Sequence, residues 1–187
     1  MEVPRMQYDR ADKTITTERL KLRMFEKKDA ETVQKLCNNY NIYKNTLFIP
    51  YPYTIEHALT WMQNHREHFD ADKGYEFAIT DKATGEIFGA ISLTHDHRYH
   101  NGELGYWIGE AFWGKGYATE AAKALVQFAF LEKNFHKVYA RHFGSNPASG
   151  RVIEKTGMTR EGHLRDHVMK DDRYEDLYYY GILQKEI

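Results

Sequence analysis

Residues Glu103 to Ala122 read ELGYWIGEAFWGKGYATEAA: a short aromatic strand, two glycines bracketing Lys115, and the opening of a helix. Gly114 and Gly116 carry no Cβ, so the backbone can turn sharply and aim several N–H groups at one anion. The helix that follows adds the positive end of its dipole. The chemistry served by this order is the binding of a diphosphate. Two nucleotide motifs compete for the stretch, and both are incomplete. From Gly109 the spacing is that of a P-loop, but Gly116 stands where a Ser or Thr must hold magnesium. From Gly114 a dinucleotide fingerprint begins, but Thr119 stands at its third glycine.

The pattern Q/R-x-x-G-x-G/A fits better, since Trp113, Gly114, Lys115, Gly116, Tyr117 and Ala118 match it except at the first position. Further stretches accompany it: TERLKLR from Thr17, PYT from Pro52, NPASGRVIEKTGM from Asn146 and EGHLRD from Glu161. On these residues the chain resembles the GNAT acetyltransferase superfamily, in the branch typified by ribosomal-protein N-acetyltransferases, over nearly its whole length. Trp113 in place of Gln or Arg is a departure familiar in that branch.

The resemblance implies an α/β fold with a central mixed, mostly antiparallel sheet whose fourth and fifth strands splay apart. It implies acetyl-CoA as cosubstrate, with no metal, and transfer of acetyl directly to a primary amine. The diphosphate would meet the N–H groups of Gly114 through Thr119, and the pantetheine arm the backbone of Trp107 and Ile108. Lys115 either adds charge near the phosphates or points to solvent. Trp113 has one N–H donor and no charge, so packing against the cofactor or the loop is its expected role. Asn146 caps a helix and is expected to touch the pantetheine. The family's helical tyrosine, which protonates the leaving thiolate, aligns with Ile153. Ser149, three residues after Asn146, is the candidate for that role, against a serine that only supports the first helical turn.

An amine must be neutral to attack, and a proton must then leave. A protein α-amine near 7.7–8.0 is roughly a fifth neutral at pH 7.3, a lysine near 10.4 only about 0.1%. An α-amine therefore demands less of a base. Glu103 is the candidate base, directly or through water. It can equally serve to attract a cationic substrate or play a structural part. The expected acceptor is a protein N-terminal α-amine such as that of a ribosomal protein. The alternatives are a small amine (a polyamine, an amino acid or an aminoglycoside) and, in a different class, an acyl-CoA sensor that binds without transferring.

His95, His97 and His100 raise the question of a metal, but a site needs a further ligand and second-shell acceptors, and HDHRYHNG reads as a loop tip. These histidines are expected at most to border the acceptor cleft. Tyr178, Tyr179 and Tyr180 lack a basic stripe and read as strand residues, not a nucleic-acid platform. Cys37 reads as a small buried hydrophobe.

These residues need elements to hold them. Leu20, Leu22 and Met24 alternate as a first strand after a loose arm ending near Thr16. Helices are expected from about Lys27 to Asn39, and after Thr54 with Ile55, Leu59, Met62 and Phe69 on one face. Tyr75, Phe77 and Ile79 pair with Ile87 to Leu93 as a hairpin, and a strand ends near Gly109. A helix follows the glycine loop, its stripe formed by Ala118, Ala121, Ala122, Leu125, Phe128 and Ala129. Then come a strand from Val138 to Phe143, a helix opened by Asn146 and Pro147 and stopped by Gly157, and a strand-like tail from Tyr174 to Leu183.

A chain of 187 residues with 42% hydrophobic content is read as one domain over 1–187. A net charge of −1 indicates no long-range recruitment of nucleic acid or a membrane. A charged amino terminus, no long apolar run and a single cysteine suggest a soluble cytoplasmic protein, monomeric or homodimeric.

Overall fold

The computed structural model describes residues 6–187. Nine strands form one sheet in the order β1-β2-β3-β4-β5-β6-β7-β9-β8. They are β1 Gln7–Asp9, β2 Thr14–Thr16, β3 Leu20–Arg23, β4 Gly74–Asp81, β5 Ile87–Thr94, β6 Asn101–Ile108, β7 Lys137–Phe143, β8 Thr159–Lys170 and β9 Arg173–Leu183. Every neighbouring pair is antiparallel except β6 and β7. The helices are α1 Ala30–Cys37, α2 Tyr40–Lys44, α3 Ile55–Met62, α4 His65–Asp70, α5 Tyr117–Leu131 and α6 Pro147–Glu154.

The expected loose arm is largely a hairpin: β1 pairs with β2, and β2 with β3 through Ile15 and Leu22. Ile15 is fully buried, and the Tyr8 ring meets Phe128 edge-on with centroids 4.9 Å apart. One apolar residue in each short strand is too few to display an alternation in sequence. Met1–Arg5 of that arm lie outside the described residues.

The first expected helix is shorter, α1 ending at Cys37, and Asn39 starts an additional helix, α2, its side chain accepting from the N–H groups of Asn41 and Ile42. The second breaks after Met62, and the buried residues are Ala58, His65 and Phe69, with Leu59 at the margin. Thr54 caps α3 as expected, accepting from His57 N–H. From β4 onward elements follow the expected order, and the tail strand is longer and paired with β8.

α5 packs its alanines against the sheet: Ala121, Ala122 and Ala129 are buried beside Leu125 and Phe128. On the other face α1 and α3 enclose a second core of Ala30, Val33, Cys37, Tyr53 and Ala58. Near it, Arg23 clamps the buried Asp29 with contacts of 2.7 and 3.0 Å. Burial alone would raise the Asp29 carboxyl, but the bonds from Arg23 and the Glu26 N–H hold it below its ordinary value.

The parallel pair defines the working end of the sheet. β6 and β7 are in register from Asn101–Lys137 to Leu104–Ala140 and then part, although both strands continue. Far from this point along the chain, the tip of the β8–β9 hairpin reaches α2. Asp171 accepts from the Tyr40 and Tyr43 hydroxyls at 2.8 and 2.6 Å, and the Lys170 ammonium sits 3.7 Å from the Tyr43 ring centre.

Ile15→Ala should lower unfolding stability by about 2–5 kcal/mol, the range for emptying a buried aliphatic site. Urea denaturation measures it, and an unchanged midpoint would mean the amino-terminal hairpin is not part of the core.

Candidate active site

A cavity of about 1050 Å³ opens where β6 and β7 diverge. Its walls come from the glycine loop and start of α5, the start of α6, the far ends of β6 and β7, and the α2–α3 segment. The strand gap makes it a passage between the two faces of the sheet.

On one side lies an array of unused donors. Gly114 and Gly116 hold φ of 74° and 81°, a region that side chains with a Cβ rarely adopt. Gly116 is the N-cap of α5 without a side-chain cap, and the first intrahelical bond runs from Glu120 N–H to Gly116 C=O. The N–H groups of Tyr117, Ala118 and Thr119 are the helix's open donors. Tyr117 is fixed by stacking on Phe88 at 4.2 Å.

Trp113 secures the loop, its indole N–H donating to the Ile108 carbonyl at 2.6 Å. The Lys115 ammonium lies 5.6 Å from the Phe112 ring centre, and the Lys115 carbonyl accepts from Arg19 at 2.9 Å. Arg19 also binds Glu120, which accepts from Thr17 as well. Burial would raise the Glu120 carboxyl, but these hydrogen bonds outweigh it and hold the group low. Sequence reasoning missed this brace, although Thr17 and Arg19 belong to the TERLKLR stretch.

The backbone expectation for β6 needs correction. Gly109 N–H donates to Phe88 C=O at 2.8 Å, which makes Gly89 and Ile108 a non-hydrogen-bonded pair. Alternation then turns the backbone groups of Tyr106 and Ile108 toward the gap, and those of Trp107 toward β5. Trp107 instead contributes its side chain, whose ring centre lies 6.4 Å from that of Trp61 on the opposite wall.

Asn146 caps α6 as expected, accepting from Ser149 N–H at 3.4 Å. No phenol stands at Ile153, but one on β6 reaches α6: Tyr106 Oη lies 2.7 Å from Ser149 Oγ and 3.2 Å from the Ser149 carbonyl oxygen, either of which can accept its single proton. Burial pushes the Tyr106 phenol up to about 12, partly countered by Ser149. It is therefore a neutral O–H at ordinary pH. Strand alternation could have flagged Tyr106 as facing α6, but nothing in sequence pairs it with Ser149.

Two carboxylates face the cavity from the other side of the sheet, in different states. Glu103 lies one residue before the last pair of β6 with β7, and Arg141, the first β7 residue beyond that pair, grips it with Nε–Oε1 2.5 Å and Nη2–Oε2 3.1 Å. Both of its oxygens are engaged, so taking a proton would dismantle a bidentate ion pair. The expectation of a free general base at Glu103 does not fit this arrangement. Glu76, which sequence reasoning did not single out, lines the same cavity from β4 and has no hydrogen-bond or ion-pair partner among the described residues.

The histidine loop lies elsewhere. None of His95, His97 and His100 lines the cavity. They follow β5 at the end opposite the gap, where His95 Nδ1 is 2.8 Å from the Asp72 carbonyl and its ring stacks on Phe135 at 4.3 Å. Their expected place beside the acceptor cleft is thus corrected. Among the described residues no cluster of three or more His, Cys, Asp or Glu is placed to hold a metal ion. Cys37 is buried, and burial pushes its thiol up to about 12. No helix among the described residues is long and apolar enough to cross a membrane.

Residues 19–159 match the model of the acetyltransferase (GNAT) domain. The chain belongs to the GNAT acetyltransferase family. A putative ribosomal N-acetyltransferase of Bacillus subtilis is 31% identical over 90% of the chain and 93% of its own length. A spermidine N(1)-acetyltransferase of Vibrio cholerae is 27% identical over 89% and 94%. The crystal structure of a GNAT-family acetyltransferase from Bacillus anthracis superposes with a TM-score of 0.82 at 29% identity, covering 92% of this chain and 99% of that one. The protein is an acetyl-CoA-dependent N-acetyltransferase. The open donors at the head of α5 suit a diphosphate, and the unpaired edge of β6 suits the amides of a pantetheine arm.

Gly116→Val should weaken acetyl-CoA binding at least tenfold, because valine resists a φ of 81° and crowds the donors. Calorimetry on the folded variant measures this. Unchanged affinity would remove the loop from the site.

Proposed function

We propose that the enzyme acetylates a protein N-terminal α-amine; a relative in B. subtilis is named a putative ribosomal N-acetyltransferase, which supports a protein acceptor. The carrying observation is the charge arrangement of the acceptor half of the cavity. Its walls are aromatic and apolar, with Phe48, Tyr53, Trp61, Trp107 and Phe143. Of its carboxylates, Glu103 is neutralised by Arg141, and Glu56 is exposed in the first turn of α3. One half-buried carboxylate without a counter-charge, Glu76, remains. A polyamine carries several separated charges and calls for several acidic partners. One terminal ammonium on a largely apolar segment calls for one. The lower basicity of α-amines favours the same acceptor.

In this reading the loop and α5 donors from Gly114 to Thr119 hold the diphosphate, Lys115 adds charge at its edge, and Tyr106, Ile108 and Asn146 meet the pantetheine arm. Trp113 positions the loop through Ile108. When Tyr106 gives its one proton to Ser149 Oγ, the Ser149 O–H is left to meet the developing thiolate charge. Glu103 acts through Arg141, pinning the two strands where they part.

A competition assay with peptides bearing free α-amines, N-blocked peptides bearing lysine, and spermidine tests the acceptor. Free thiol and product mass report the outcome. The α-amine peptides should be preferred at least tenfold in kcat/KM, and preference for spermidine would overturn the assignment. Ser149→Ala should lower kcat at least tenfold while changing acetyl-CoA affinity little, because the lost bond is strongest as negative charge develops. A loss confined to affinity would reassign Ser149 to cofactor positioning.

A further inference from the structure

We propose that Glu76 is the catalytic residue that receives the acceptor's ammonium proton; the assignment deepens the amine-transfer reading and rests on it. Glu76, Ser92 and Gly105 form one row across β4, β5 and β6 by register, so all three face the same side of the sheet. Gly105 is the first β6 residue beyond the last pair with β7. Glu76 therefore stands level with the mouth of the gap, two strand spacings or about 10 Å from β6. That separation is bridged by its own side chain together with the amine, or with one water between.

The surroundings suit a proton acceptor. Glu76 keeps partial exposure, and it does so by lining the cavity. Protein encloses the rest of the carboxyl, and this burial pushes it up to about 8. The titratable groups sharing the cavity with it are Glu103 and Tyr106 from β6, Arg141 and His142 from β7, Glu56 and His57 from α3, Cys37 from α1, Tyr53 before α3, Tyr117 from α5, and Arg151 with Lys155 at α6. None of them contributes to the shift, whose cause is desolvation. An arriving ammonium would supply the missing counter-charge and ionise the carboxyl.

The step balances simply. One ammonium proton moves to Glu76 Oε, and the freed nitrogen lone pair forms the N–C bond to the acetyl carbon. The C–S bond breaks with its electron pair on sulfur. The second nitrogen proton offsets the thiolate charge, and the amide keeps the third hydrogen. Glu76 then releases its proton to water through the cavity mouth.

The test is a pH series of kcat/KM for wild type and Glu76→Gln on a primary amine of lysine-like basicity, near 10.4. Wild type should rise to about pH 8 and level off, because ionised Glu76 takes a proton the acceptor still holds. Glu76→Gln should be at least tenfold slower at pH 7 and keep climbing toward pH 10, narrowing the gap. A loss under threefold, or a constant ratio across the series, would overturn the assignment.

A second measurement needs no turnover. A carboxyl raised in the folded state stabilises fully below its unfolded value, about 4.3, and that contribution is lost as pH rises through about 8. The melting temperature of Glu76→Gln relative to wild type should therefore increase from pH 5 to about 8 and then level off. A difference independent of pH would mean that Glu76 does not titrate in this window, and the assignment fails. The acceptor panel separately decides the amine class, so failure of the α-amine reading and failure of Glu76 are distinct results.

Discussion

Two adjacent parallel strands that stop pairing while both continue create the constraint on which the rest of this molecule depends. A buried backbone donor or acceptor left without a partner costs about 1–3 kcal/mol, so a gap in the middle of a sheet has to be managed. β6 and β7 manage it with side chains at both ends. Glu103 and Arg141 hold the strands together at the point of departure. At the far end the Trp113 indole occupies the Ile108 carbonyl. The stretch between is left for a ligand rich in amides. The glycine loop, the Arg19–Glu120 brace and the first turn of α5 lie beyond that far end and continue the ligand's path toward its phosphates.

The gap also separates two kinds of proton chemistry. Tyr106 and Ser149 offer neutral hydroxyls on the side of α6, while Glu76 and Glu103 sit on the opposite side of the sheet. Environment divides the two carboxylates as firmly as sequence position does. A guanidinium bound through two nitrogens makes Glu103 a strut, whereas enclosure without a counter-charge raises the Glu76 carboxyl. Neither state is visible in the residue type.

Legibility in the sequence followed periodicity and local chemistry. The strands β4 to β7 and β9, α5 and the caps of α3 and α6 were readable because each declares itself within a few residues, whereas no strand was read at β8. Gly114 and Gly116 were readable because the left-handed backbone they adopt selects glycine. The amino-terminal hairpin was not, since Ile15 is one buried residue in a three-residue strand. The additional helix α2 depends on Asn39 acting as a start signal where it reads equally as a stop. The site residues that were missed, Glu76, Tyr106 and Arg19, are set by pairings across the sheet. Arg141 alone changed the meaning of Glu103, from 38 residues away.

The hairpin tip that docks on α2 joins residues 128 and 131 positions apart through the Tyr43 and Tyr40 contacts to Asp171. Contacts of such long range form only after most of the chain is in place, because loop closure must precede them. The acceptor side, bounded by α2 and by Leu177 of β9, is completed only when the carboxyl-terminal hairpin arrives. The same hairpin carries β9, which pairs with β7 along its whole length and puts Tyr180 and Ile182 into the main core, so the wall of the strand gap, too, waits for the last residues of the chain.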